Sequence, residues 1–207
     1  MFSVKELLSI DLLENKFFIP STDDQLLFAK YINALLNSEY GGTIYIGINQ
    51  KQKVQGVFPS YELIAIEKII SEFNIKNIDF LSEIIEIDKK LIIKLVIKGA
   101  SVKPQYLKFL ESKEVYIIHQ SKLIKANHII EKALKFKVVN GNPPQVLSNE
   151  ESEIKKHIEL KTNISLNNLY KVSSLPKKTI DFVLVRLLNW NKINFNILDG
   201  SCYFTSI

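Results

Sequence analysis

The residues best equipped for chemistry are lysines placed at a predicted helix start and beside aromatics. Lys177, Lys178 and Thr179 follow Pro176, and Arg186, the one arginine of the chain, lies further along the same predicted helix. Proline suits the first position of a helix. Helix N-termini and lysines suit phosphate oxygens, and such contacts position a protein on a duplex without reading its bases. Lys192 and Asn194 fall at the base of a terminal hairpin. Lys94, Lys98, Lys103, Lys108 and Lys113 lie on or near predicted strands, interleaved with Tyr106 and Phe109. On one shared face they make a basic stripe for a nucleic-acid backbone; otherwise they are a solvated strand face.

The glycines Gly41 and Gly42 allow a tight turn or the approach of a ligand to backbone N–H groups. A helix C-cap leading into a strand explains them equally. No Gly-Lys-Ser/Thr follows, so there is no Walker A signature, and no nucleotide-phosphate site is expected. His119, His128 and His157 lack metal-ligand spacing, and Cys202 is a lone thiol with neither a disulfide partner nor a CxxC pattern. His128 reads as a packing or surface residue, and Cys202 and Trp190 as interior positions. No metal and no cofactor is expected.

The elements that must position these residues are those of an ordinary globular chain. Its 207 residues are 46% hydrophobic and 24% charged, which excludes disordered, collagen-like and low-complexity classes. A net charge of +5 is compatible with a polyanion partner but is weak evidence for one. The start lacks a basic region leading into an apolar one, and no apolar run reaches the ~20 residues of a membrane span. A cytoplasmic protein with no membrane association is the expectation.

A short strand over 14–19, a helix over 23–37 and a strand over 43–48 open the chain. A return strand at 54–57, a helix over 59–73 and a hairpin of 84–87 with 91–97 follow. Strands at 102–107 and 115–118 and a helix over 124–136 close this part. The order is α+β, with hairpins rather than βαβ repeats. Asn140-Gly141-Asn142-Pro143-Pro144 marks a connector. The expected division is 1–137, a linker over 138–148, and a small domain over 149–207. That tail reads as helices over 149–161, 165–172 and 176–190. A hairpin turning at Asp199-Gly200 ends it. This is the layout of a winged helix-turn-helix, with the third helix in the recognition position.

The run Ile32-Asn33-Ala34-Leu35-Leu36-Asn37-Ser38, then Gly41-Gly42-Thr43-Ile44-Tyr45-Ile46-Gly47-Ile48, then Val54-Gln55-Gly56-Val57, resembles the signature of the Schlafen/AlbA-2 family. Leu13-Glu14-Asn15-Lys16 is similar to its Leu-Glu-Phe-Lys block. Lys103-Pro104-Gln105-Tyr106 is similar to Lys-Pro-Val-Tyr, and Tyr116 onward to its Tyr-x-Arg block. The resemblance spans about residues 10–135, with Gly41, Gly42, Gly47 and Gly56 as motif glycines. It implies an AlbA-2-like mixed domain and nucleic-acid binding.

Departures bear on cleavage. The family arginine falls on Ile118, a family glycine on Gln120, and Asn15 stands for the usual Phe. Members that cut RNA carry clustered acids. Asp11 and Glu14 are the weak catalytic candidates here, while the third acidic place holds Asn49-Gln50. Holding a hard cation and aligning a water needs those carboxylates.

Binding rather than cutting is therefore the expectation, with DNA preferred to RNA. The contacts would come from Lys16, Lys103, Lys177, Lys178, Thr179, Arg186 and Lys192, in a transcriptional regulator or accessory factor. A metal-dependent nuclease using Asp11 and Glu14 is the enzymatic alternative. A non-catalytic adaptor or homodimer is the third.

Overall fold

In the computed structural model the described residues are 4, 14–76, 78–136, 144–198 and 201–207. They divide into two compact units, Met1–Lys125 and Ala126–Ile207.

The first unit is built on β1 (Lys16–Ile19), β2 (Gly42–Ile46), β3 (Phe80–Ile87) and β4 (Lys90–Ile97), in the order β1-β2-β4-β3. β1 runs parallel to β2, pairing Phe17 with Ile44, and the other pairings are antiparallel. All five residues of β2 are buried, as its β-branched and aromatic run foretells. Helix α1 (Gln25–Asn37) starts where the Asp24 carboxylate accepts the Leu27 N–H at 3.0 Å. Helix α2 (Pro59–Glu72) carries proline in its first turn. Phe28, Ile32, Leu35 and Leu36 of α1 and Ile66 and Ile69 of α2 pack on Phe17, Ile44, Ile46, Ile93 and Leu95. Each such side chain contributes about 1.5–3 kcal/mol on burial. The opposite face holds Tyr45, Ile48, Ile87 and Ile92, with Phe18 stacked on Tyr45.

Beyond this sheet stand two short hairpins, β5 (Leu107–Phe109) with β6 (Ser112–Glu114), and β7 (Tyr116–His119) with β8 (Lys122–Lys125). Three expectations change here. The return strand at 54–57 is only a bridge between Ile48 and Val54, because Gly47 (φ 97°) turns the chain. Residues 102–106 are not a strand; the Gln105 amide is held by α1 instead of a ladder. The helix expected over 124–136 begins at His128, since Asn127 caps it by accepting the Ile129 and Ile130 N–H groups.

The sequence assigns that helix, α3 (His128–Lys135), to the close of the first domain. Its Ile129 instead joins the core of the second unit, with Ile154, Leu184 and Phe204. The remaining elements are α4 (Asn149–Glu159), β9 (Ile164–Ser165), α5 (Leu166–Val172), α6 (Lys177–Asn189), β10 (Ile193–Leu198) and β11 (Ser201–Ser206). β11 pairs antiparallel with both β10 and β9. The Pro143 side of the expected connector and the Asp199-Gly200 turn lie outside the described residues.

Candidate nucleic-acid interface

In the first unit, the outer strand β1, helix α1 and the β7–β8 hairpin border an open groove of about 350 Å³. Lys16 and Phe18 come from β1, Tyr31 from α1, Lys122 and Ser121 from the hairpin, and Gln50 from the loop after β2. The Tyr31 ring sits 4.2 Å from that of Phe17. Burial, aided by Asp24, pushes the Tyr31 hydroxyl above its ordinary range, so it stays a neutral donor. The groove therefore offers two lysines, a phenol and a carboxamide, which are the groups that hold a phosphodiester and lie against a base. Lys122 escaped the sequence reading because residues 124–136 look continuous as a helix; the capping preference of Asn127 was the available signal.

The structure gives other expected contacts internal tasks. The Lys103 ammonium donates to the Ser38 carbonyl at 2.6 Å, just past the end of α1, and burial lowers its pKa against the pull of Glu39. Gly41 has φ 78°, and a Cβ there would lie 1.9 Å from the Ile97 carbonyl oxygen. At Gly42 a Cβ would lie 2.4 Å from the Asn15 carbonyl oxygen, so this pair is wedged against backbone. Asn15 also donates to the Gly41 carbonyl at 2.9 Å. Buried Asn33 and Asn37 were not singled out by sequence. Their side chains hold Gln105 and Tyr116 by the main chain.

In the second unit, α6 begins after Pro176 with Lys177 and Lys178 exposed and Thr179 half-buried. The Lys177 ammonium lies 5.4 Å from the Tyr170 ring. Arg186 rests between Phe182 and Trp190, and its Nη1 lies 2.9 Å from Oε1 of buried Glu151. Lys192 is half-buried ahead of β10, its N–H donating to the Leu187 carbonyl. Burial pushes the Cys202 thiol up to about 11, so it is protonated.

Asp181 ties α6 to its neighbours. It accepts from Lys132 at 2.8 Å and from the Tyr170 hydroxyl, and His128 Nε2 stands 3.3 Å away. Burial raises its pKa, but these partners outweigh burial and hold the carboxyl below its ordinary value. The unfolded chain then takes up this proton at higher pH than the folded one. The contribution to stability is complete above the unfolded value of about 3.9 and is lost as pH falls through the lower folded value. The stability gap between the native chain and Asp181→Asn should be widest above about pH 5 and close towards pH 3 in urea unfolding. A gap independent of pH would refute the pairing.

Against known families, residues 10–127 match the Schlafen, AlbA_2 model. The chain belongs to the Schlafen AlbA_2 family. No curated protein sequence matches it. Among solved structures it is similar to the DIP2311 protein of Corynebacterium diphtheriae, with a TM-score of 0.41 and 8% identity. That alignment covers 74% of this chain and 31% of the other, so the chain spans under a third of that structure's length.

AlbA_2 membership gives a nucleic-acid-related function, and the groove beside β1 is built wholly from residues of the matched segment. The departures from the family pattern now have physical readings. Ile118, in the arginine's place, packs against the main core. Gln120 has φ 50°, a left-handed conformation that a glycine adopts without strain. Asn49 caps its own turn, accepting the Lys51 and Lys53 N–H groups at 3.0 Å. Glu14 is exposed, and Asp11 lies outside the described residues. Among the described residues no three His, Cys, Asp or Glu side chains gather as a metal site. Also among them, no helix is long and apolar enough to cross a membrane.

Proposed function

We propose that this AlbA_2 protein is a non-cutting nucleic-acid-binding factor, preferring DNA and acting in transcription regulation as an accessory protein. The observation that carries the reading is the groove beside β1, which Lys16, Tyr31 and Lys122 line together. Lysines there neutralise phosphates, and the aromatic wall accepts a base or sugar face. The second unit supports the reading by its order α4-β9-α5-α6-β10-β11 with a three-stranded sheet, an order compatible with the winged helix expected from sequence. Lys177, Lys178 and Thr179 at the start of α6 add phosphate contacts without base readout.

The test is a salt titration of binding to random duplex, single-stranded DNA and tRNA. Each phosphate contact contributes about 0.9 to the slope of log K against log salt on B-DNA. Lys16→Glu with Lys122→Glu should lower the slope on duplex by about 2 and weaken binding on the order of tenfold. An unchanged slope would remove the groove from the interface. Metal-dependent strand loss that Glu14→Gln abolishes would instead establish a nuclease.

A further inference from the structure

β3 closes the main sheet on the side away from β1, and its outer edge is open. Its eight residues, Phe80–Ile87, pair with β4 in one unbroken register, from Phe80 opposite Ile97 to Ile87 opposite Lys90. Among the described residues no other segment hydrogen-bonds to that edge. Soluble proteins blunt such an edge with a short strand, a bulge, a proline or a lysine. β1, at the opposite edge, is only four residues long. β3 carries none of these devices. Instead Leu81 is 66% and Ile84 52% exposed, beside exposed Ser82, Glu83 and Glu86.

An open edge takes an extended strand, and the side chains of β3 decide which one. Residues directly opposite in an antiparallel pair share a face of the sheet, so a second β3 joins about a two-fold axis that passes through a residue. At Glu83 or Glu86 the axis would set carboxylate against carboxylate, which destabilises the pair. At Ser82 it would pair only residues 80–84, and at Ile85 only 83–87. At Ile84 it pairs 81–87 of one copy with 87–81 of the other. Ile84 then meets its own copy, Leu81 meets Ile87, and the Ser82 hydroxyl faces the Glu86 carboxylate as a donor. Glu83 meets Ile85, with Lys94 opposite it on β4 of its own chain. The carboxylates therefore select one register rather than forbid pairing. A strand of unrelated sequence would need apolar residues opposite Leu81 and Ile84 and a donor opposite Glu86; β3 itself supplies all three. We infer that β3 pairs with β3 of a second copy, antiparallel and centred on Ile84, to form one continuous eight-stranded sheet. An edge about 27 Å long places this among the small, weak interfaces. Because β1 lies at the far edge, the dimer leaves both copies of its groove open.

The test is sedimentation equilibrium of the full chain from about 1 μM to about 1 mM, where weak interfaces associate. The mass should rise from monomer towards dimer, with no larger species. Ile84→Lys, which opposes two ammonium groups across the axis, should weaken association about tenfold and leave the melting of the dilute chain unchanged. Cysteine cross-linking reads the register independently of that variant's folding. In a Cys202→Ser background, Ile84→Cys should oxidise to a covalent dimer, since directly opposite Cα atoms lie about 4.5–5.5 Å apart, within disulfide reach. Leu81→Cys should not, because its copy lies six residues along the partner strand, about 20 Å away. A chain that stays monomeric throughout overturns the inference. So does a dimer that a folded Ile84→Lys chain retains in full, or equal cross-linking at both positions. A monomer that takes up an extended peptide with Lys in place of Glu83 and Glu86 gives the edge to a partner strand and overturns it as well.

Discussion

Asn37→Ala is expected to cost the first unit about 3–5 kcal/mol, a large part of the roughly 5–15 kcal/mol that holds a typical domain folded. Asn37 is the last residue of α1 and is 4% exposed. Its amide nitrogen donates to the Gln105 and Tyr116 carbonyls, each at 3.0 Å, and its oxygen accepts the Gln105 N–H at 2.7 Å. Without it the Gln105 N–H and the Tyr116 carbonyl lose their partner, and each unsatisfied buried group costs about 1–3 kcal/mol. The Gln105 carbonyl keeps a donor from Asn33, so it adds little to the loss. Asn33→Ala, which orphans mainly the Tyr116 N–H, should cost less, about 1–3 kcal/mol. Asn37→Asp should be no rescue, because it keeps the acceptor for Gln105 but sets a carboxylate oxygen against the Tyr116 carbonyl. Urea unfolding followed by circular dichroism measures all three. A loss below about 1 kcal/mol for Asn37→Ala would mean that water takes over these bonds.

The block Ala34-Leu35-Leu36-Asn37-Ser38 was legible as a family signature, yet its physical purpose was not. The partners of Asn37 lie 68 and 79 residues away, and no local pattern announces them. Legibility followed the strength of local signals. β2 and α1 stood out because β-branched residues and a helical apolar stripe repeat over many positions. β8 and β9 did not, since two to four residues are too few to show a period. Ile124, Ala126, Ile129 and Ile130 mimic one helical face, which hid both the strand and the cap at Asn127. The lysines at the start of α6 were legible from Pro176, but the groove beside β1 arises only when the β7–β8 hairpin approaches the sheet edge. Gly41 and Gly42 were visible, and only the closeness of the Ile97 and Asn15 carbonyls decides between a turn and a ligand cradle.

Arg186 shows the same limit with a larger consequence, since a lone arginine on a helix after two lysines reads naturally as a phosphate contact. Its partner Glu151 is 1% exposed and also accepts the Ser148 N–H at 2.8 Å, completing the cap of α4. Arg186→Met keeps an apolar stem beside Trp190 but leaves the buried Glu151 oxygen without its cation. Removing one partner of a buried pair costs about 3–5 kcal/mol, and the 32% exposure of Arg186 argues for the lower end. The second unit should therefore unfold at a clearly lower urea concentration. Glu151→Gln in the same chain removes the unpaired charge and should restore about half of the loss or more, a coupling that a double-mutant cycle reads directly. At temperatures where the variant is folded, its affinity for duplex DNA and its salt slope should match those of the native chain. Unchanged stability together with a slope lower by about 1 would reverse the assignment and put the guanidinium on a phosphate.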